Sequence, residues 1–323
     1  MTAPPATPRT KWAHTPERSS MFMLRFMTWF SLRLGRTAAR GLLLGIAAYV
    51  LLFAPASRRA SSEYLQRVFG RPAHWRELYR HIFTFAATIH DRIFLLNRRF
   101  DLFDFEVHGE ESLRNLIAGG NGLFLMGAHL GSFEVIRALG WKDTDLQIAM
   151  VMQEENARKI NAMLAAVNPE AAQDNIGLGH VDSMLQVRER LDEGWVVGML
   201  ADRTPGNDAP GKDSPGKDNF YPVQLLGANA NLPIGPFRMA AFLRRPVVFM
   251  TGLYLGGNRY AIHFDQLADF SATASDQRAS AVTEAITRYA ALLDRYCREA
   301  PYNWFNFFDF WEAASRSRAG KSS

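Results

Sequence analysis

The stretch that decides the fold is Leu123–Gly140, LFLMGAHLGSFEVIRALG. It opens on an unbroken apolar run that closes on the small pair Gly127-Ala128. A short apolar run of this kind predicts a buried strand over Gly122–Ala128. His129 stands at its carboxyl edge, Gly131-Ser132 makes a turn, and helical spacing follows over Phe133–Leu139. Ser132 is placed as the N-cap, with Glu134 in the first turn of that helix. In an open α/β sheet the carboxyl end of a strand is where ligands bind.

Outward from this unit the same alternation continues. Strands are predicted at Leu146–Met152, Trp195–Ala201, Pro246–Leu255 and Tyr260–Phe264. Helices are predicted at Ala157–Val167, Val181–Leu191, Ile234–Leu243 and Asp276–Ala300, the last with Ser275 as its N-cap. Glu63–Asn97 reads as one or two helices rich in aromatics. Alternation of this kind argues an α/β sheet with helices on its faces. Asn207–Asn219, NDAPGKDSPGKDN, has nothing to bury and reads as a surface loop, either a lid beside Asp202-Arg203 or a plain connection.

The chain of 323 residues is 48% hydrophobic, enough for one large domain with a filled core. Aromatics reach 12%, led by 23 Phe, which favours a deep apolar site or a membrane-facing surface. A formal charge of +5 suits an anionic membrane surface or an acidic partner, and without a basic, aromatic-interleaved motif it does not indicate nucleic acid. Cys297 is the only cysteine, so intrachain disulfides and multi-cysteine zinc sites are excluded, and its helical setting without a nearby His reads as structural. His180 and His263 lie in no metal-ligand pattern and H-E-x-x-H is absent, so no metal is expected.

Near the amino terminus, Met21–Leu34 is aromatic and apolar, and Gly41–Ala56 is uncharged. As a helix the latter spans about 24 Å, short of a hydrocarbon core of about 30 Å. Arg33, Arg36 and Arg40 precede it, and Arg58 and Arg59 follow. Positive charge on both flanks sets no orientation and suits a helix lying in a leaflet, or a hairpin dipping into it. A secretory signal and a buried core helix are the other readings.

If the turn after His129 folds the chain back, the Glu134 carboxylate can meet the imidazole. It would fix the tautomer and stabilise the imidazolium formed when the other nitrogen takes a proton. Acyl transfer to a hydroxyl needs such a base and no enzyme nucleophile, and the helix amides offer a place for an oxyanion. By itself H-x-x-x-x-E is a weak signal, and capping is a fair alternative for Glu134. Arg203, beside Asp202 at a strand end, and Arg137, three residues after Glu134, are candidate anion binders; Arg137 can equally pair with Glu134. Ser132 lacks the G-x-S-x-G elbow of a serine hydrolase. The aromatic run Tyr302–Trp311 reads as a core plug or an interfacial belt.

The motif resembles the H-x-x-x-x-[DE] signature of glycerolipid acyltransferases, in particular the lipid A late (lauroyl/myristoyl) acyltransferase family. Three further stretches fall in that family's order: WVVGMLADRTPG with Asp202 and Arg203, LLGANANLPIGPFRMAAFLRRPVVFM, and the terminal PYNWFNFFDFW. The resemblance runs from about Met21 to Trp311. It implies a mixed sheet flanked by helices, with a flexible tail over 1–20, a membrane-associated helical segment over 21–60, an acyltransferase domain over 61–312 and a second tail over 313–323. It also implies His129 and Glu134 as catalytic dyad; Asp202, Arg203, Arg137 and Ser132 are the substrate-side candidates read from their positions, and no cofactor is expected. The implied donor is a thioester on acyl carrier protein or CoA, the acceptor a membrane lipid, and the location the cytoplasmic face of a bacterial inner membrane. Where the family's terminus carries Arg residues, this chain has Asn306, Phe308 and Asp309, which argues against lipid A itself as acceptor. A serine-type lipid hydrolase and a non-catalytic membrane adaptor are the competing readings; the adaptor predicts His129 and Glu134 side chains lying apart.

Overall fold

The computed structural model of the chain describes residues 17–136, 147–153, 164, 167, 174–178, 181–203 and 219–311. Residues 1–16 and 313–323 of the two tails, Arg137, His180, the loop at 207–219 apart from Asn219, and the predicted helix at 157–167 apart from Leu164 and Val167 lie outside these residues.

Three helices lead the chain: α1 (Glu17–Phe53), α2 (Pro55–Phe69) and α3 (Trp75–Leu96). After β1 (Asp104–His108) and α4 (Glu110–Ala118) come β2 (Leu123–Gly127), β3 (Ile148–Gln153), β4 (Asp174–Leu178), α5 (Val181–Asp192) and β5 (Val196–Leu200). The rest is β6 (Phe220–Leu225), β7 (Ala228–Pro233), α6 (Gly235–Phe242), β8 (Pro246–Gly256), β9 (Arg259–Asp269) and α7 (Arg278–Glu299). Seven strands form one sheet in the order β1-β9-β8-β2-β5-β3-β4, and β6 and β7 form a separate antiparallel ribbon. Every neighbouring pair in the sheet is parallel except β8 and β9. The fold is therefore α/β, with a mostly parallel mixed sheet flanked by helices.

β2 lies near the middle, between β5 and β8, and all five of its residues are buried. That explains its continuous apolar run: helices cover both faces, so neither face selects polar residues. The strands absent from the sequence reading are the ones the pattern hides. β1 (DFEVH) and β4 (DNIGL) are the two sheet edges, short and polar, as edge strands must be to discourage further pairing. The β6–β7 ribbon turns at Leu226-Gly227, both at positive φ (50 and 76), a conformation that the Leu disguises. At α7 the expected Ser275 cap is replaced: the N-cap is Gln277, with no side-chain capping bond.

Met21–Leu34 and Gly41–Ala56 fall on either side of a kink in α1 at Gly35 (φ 81), which divides it into two helical stretches, and the last two residues, Pro55-Ala56, begin α2. Arg36 and Arg40 lie between the kink and the apolar stretch that follows it. Both turn inward onto Asp91 of α3, which is fully buried. Arg36 binds it with Nε and Nη2 at 2.8 and 2.9 Å, Arg40 with Nη2 at 2.8 Å, and the Tyr260 hydroxyl donates to the same carboxylate at 2.7 Å. Both guanidiniums also donate to the carbonyl of Gly257 in the β8–β9 turn. So α1 is clamped along the domain. Its outer face is bare, with Trp29, Leu34, Tyr49, Leu52 and Phe53 exposed. Met27–Phe53 is long and apolar enough to cross a membrane, a test that core helices and signal sequences also pass.

Candidate active site

Strand register builds the site. β2 and β5 are parallel neighbours that pair from Leu123↔Val196 to Gly127↔Leu200. One and two residues further on, the same offset sets Ala128 beside Ala201 and His129 beside Asp202. The bonds confirm it: Ala201 N donates to Gly127 O at 2.9 Å, and His129 N donates to Asp202 Oδ2 at 3.0 Å across 73 residues. His129 Nδ1 lies 2.8 Å from Asp202 Oδ1, and Arg203 Nε donates to His129 Nε2 at 3.1 Å. A carboxylate only accepts and a guanidinium only donates, so the hydrogen is on Nδ1 and Nε2 offers its lone pair. This is the tautomer of a general base held by an acid.

The orienting carboxylate is thus Asp202, in the place the sequence reading gave to Glu134. The reason is geometric. Gly131, at φ 74, sends the chain against β8, where Ser132 N donates to Gly252 O at 2.8 Å. A Cβ on Gly131 would sit 2.1 Å from that carbonyl oxygen, and one on Gly252 2.6 Å from Ser132 O, so two glycines permit the contact. Instead of doubling back toward His129, the helical turn at 133–136 carries Glu134 to the wall of a separate cavity. Ser132 is buried and its hydroxyl has no hydrogen-bond partner, so it neither caps the helix by its side chain nor bonds the imidazole. Asp202 is fully buried beneath His129, which removes it from the substrate surface. Arg203 remains at the surface of the site, its guanidinium 5.4 Å from the centroid of the Phe308 ring.

The carboxyl-terminal segment closes the site. Leu130 and Trp304 form an antiparallel bridge, Gly131 N donates to Asn303 O at 2.8 Å, and Phe305 N donates to His129 O at 2.7 Å. Trp304 is fully buried, and its indole N–H donates to Asp202 Oδ2 at 3.1 Å. Asn306 Nδ2 approaches the same oxygen at 3.5 Å. Burial by itself would push the Asp202 carboxyl up. Attraction to His129, the hydrogen bonds from it and the nearby Arg203 outweigh that and hold it well below the usual carboxylate range. Behind this layer, His81 Nε2 meets Trp304 O at 2.9 Å and Ser61 Oγ meets His81 Nδ1 at 2.8 Å. Among the described residues this Ser–His pair has no carboxylate partner, and both residues are fully buried, so it is structural.

The amides expected to receive an oxyanion are partly committed already. Those of His129, Gly131 and Ser132 bond Asp202, Asn303 and Gly252. Arg203 is the strongest remaining donor at the imidazole.

Beside the site lies a cavity of about 630 Å³, lined chiefly by α1 and α3 side chains including Ile46, Val50, Ile82, Phe85 and Ile89. His129 is not in its wall; Glu134 and Phe307 are. Among the described residues, no group of three or more His, Cys, Asp or Glu is arranged to hold a metal.

No family model matches this chain, and none of the curated proteins matches it.

The sequence reading did not connect Trp304, Asn303, Asn306 or Asp202 to the His129 imidazole. Only Asp202 had a visible signal: MGAH and MLAD end β2 and β5 in the same way, each with its polar residue two places past the strand.

Proposed function

We propose that this protein is an acyltransferase that moves an acyl chain from a carrier-bound thioester to a hydroxyl of a membrane lipid. The observation that supports it is the His129–Asp202 pair at the carboxyl edge of a central strand, with Nε2 offering a lone pair beside Arg203. In this reading the acceptor hydroxyl displaces the Arg203 guanidinium from Nε2. The base takes its proton as the oxygen attacks the thioester carbonyl carbon. Arg203, released from Nε2, meets the developing oxyanion. The intermediate then collapses by breaking the C–S bond, and the imidazolium returns the proton to the leaving thiolate, giving an ester and a free thiol. Asp202 stays ionised throughout and steadies the imidazolium.

The cavity supports a lipid reactant. Its volume falls within the roughly 300–1,000 Å³ of small-molecule sites, and its lining suits a hydrocarbon chain. The exposed apolar face of α1 supports docking on a membrane, which we place on the cytoplasmic face of a bacterial inner membrane in keeping with the family resemblance. Arg36 and Arg40 fall within the apolar stretch and bind Asp91, so a helix crossing the bilayer would drag α3 with it. We therefore read α1 as lying along the surface. The same resemblance makes acyl carrier protein the proposed donor, with CoA as the other thioester.

The test is transfer of radiolabelled acyl groups from acyl carrier protein or acyl-CoA to membrane lipids by the purified full chain. His129→Ala should lose about 10²–10⁴-fold in rate with its fold intact. Undiminished transfer in that variant overturns the mechanism. A covalent acyl-enzyme trapped by an active-serine probe would favour the hydrolase.

A further inference from the structure

The cavity between α1 and α3 is apolar except at a few points, and two of these are unpaired nitrogens. Nε of Arg92 and Nδ1 of His90 are shut off from water without a hydrogen-bond partner, and both residues line the cavity. Among the described residues, no ion pair or hydrogen bond reaches the Arg92 guanidinium; Glu134, on the same wall, is not within ion-pairing distance of it. Arg92 is half-buried; its Nε is the orphaned donor, which carries a penalty until an acceptor arrives. His90 is neutral at neutral pH, because burial lowers it to about 4. Its Nε2 is 3.0 Å from Ser31 Oγ, and its Nδ1 lies 3.9 Å from the buried Asp91 carboxylate, so the ring serves the packing beneath the wall and leaves the anion to Arg92. Arg92 therefore supplies the positive charge on this wall.

We propose that the cavity binds an acidic amphiphile, with its hydrocarbon chain along the apolar wall and its phosphate or carboxylate oxygens on Arg92. The inference deepens the acyl-transfer reading by naming an anionic lipid as the occupant, and it rests on that reading only for the amphiphile's role as a substrate.

Binding alone tests it, with the full chain in a neutral detergent and three probes of equal chain length: dodecyl phosphate, laurate and dodecanol. The wild type should bind the two anions about tenfold or more tighter than the alcohol. Arg92→Gln should bring the anions down to the level of dodecanol and leave dodecanol unchanged, with Arg92→Lys between the two. Ala86→Trp, which fills the cavity from α3, should weaken all three. Whether dodecyl phosphate or laurate binds more tightly tells a lipid phosphate from a free fatty anion, and either order supports the site if it depends on Arg92. Equal affinities for anions and alcohol, an anion preference that survives Arg92→Gln, or undiminished binding to Ala86→Trp overturns it. His129→Ala should bind all three as the wild type does, so failure of the catalytic reading and failure of this site are distinguishable.

Discussion

Trp304 donates its indole N–H to Asp202 at 3.1 Å, joining the segment that follows α7 to the end of β5. The same Asp202 oxygen receives the backbone N–H of His129, and the other oxygen faces the imidazole. Three segments distant in sequence thus converge on one buried carboxylate. Its ionised form is favoured by the fold, so it contributes stability present above the unfolded carboxyl's range and lost only in strong acid.

That convergence separates Asp202 from Glu134 by experiment. Asp202→Asn keeps the shape but turns a carboxylate into an amide, and should lower kcat by about 10²–10⁴-fold. Glu134→Gln leaves the His129 pair intact and should change the apparent KM for lipid more than kcat. Trp304→Phe removes one donor to Asp202 and should cost about 1–3 kcal/mol of stability, with a smaller loss of rate. Steady-state kinetics on the three variants checks this. A larger kcat loss in Glu134→Gln than in Asp202→Asn would return the orienting role to Glu134.

Gly131→Ala should destabilise the chain by about 3 kcal/mol or more, since its Cβ meets a backbone carbonyl at 2.1 Å in addition to positive-φ strain. Gly227→Ala has similar φ and nothing within 4 Å, so it should cost only about 1 kcal/mol. Chemical denaturation of the pair measures the difference, and equal costs would contradict the contact.

His81 must be neutral in the fold, since burial lowers it to about 4 against the opposing bond to the Trp304 carbonyl. An unfolded His takes up a proton below about 6.5, so the unfolded state binds more protons between the two values. Stability is therefore complete above about pH 6.5 and falls toward pH 4, by roughly 3 kcal/mol for this residue. Denaturation midpoints measured from pH 7 to 4.5 should decline, and His81→Gln should flatten the decline in part, since His90 is lowered to about 4 as well.

Asp91→Ala leaves Arg36 and Arg40 facing each other without their anion, and should cost about 3–5 kcal/mol. The loss should show first as protease cleavage within α1. An uncleaved α1 in this variant would mean that apolar packing on α3, not the clamp, holds it.

Much of the architecture was legible because it follows from local pattern. Buried central strands are continuous apolar runs, and amphipathic helices show their period, so β2, β5, β8, α5 and α7 could be placed within a few residues. The edge strands carry no continuous apolar run: β1 alternates, with Asp104, Glu106 and His108 exposed to solvent, and β4 reads DNIGL. Within the site, His129 was legible from its place at the end of a strand. Its partner was not, because spacing along the chain favours Glu134, five residues away, over a residue 73 away.

By itself, then, the sequence determined the α/β class, the position of His129 at a strand's carboxyl edge and the apolar character of the amino-terminal helix, all of which depend on residues near one another in the chain. Only the tertiary structure decided that Asp202 holds His129, that Trp304 holds Asp202, and that Arg36 and Arg40 face inward. Those depend on strand order and register, which place β5 beside β2 and bring the carboxyl-terminal segment over both.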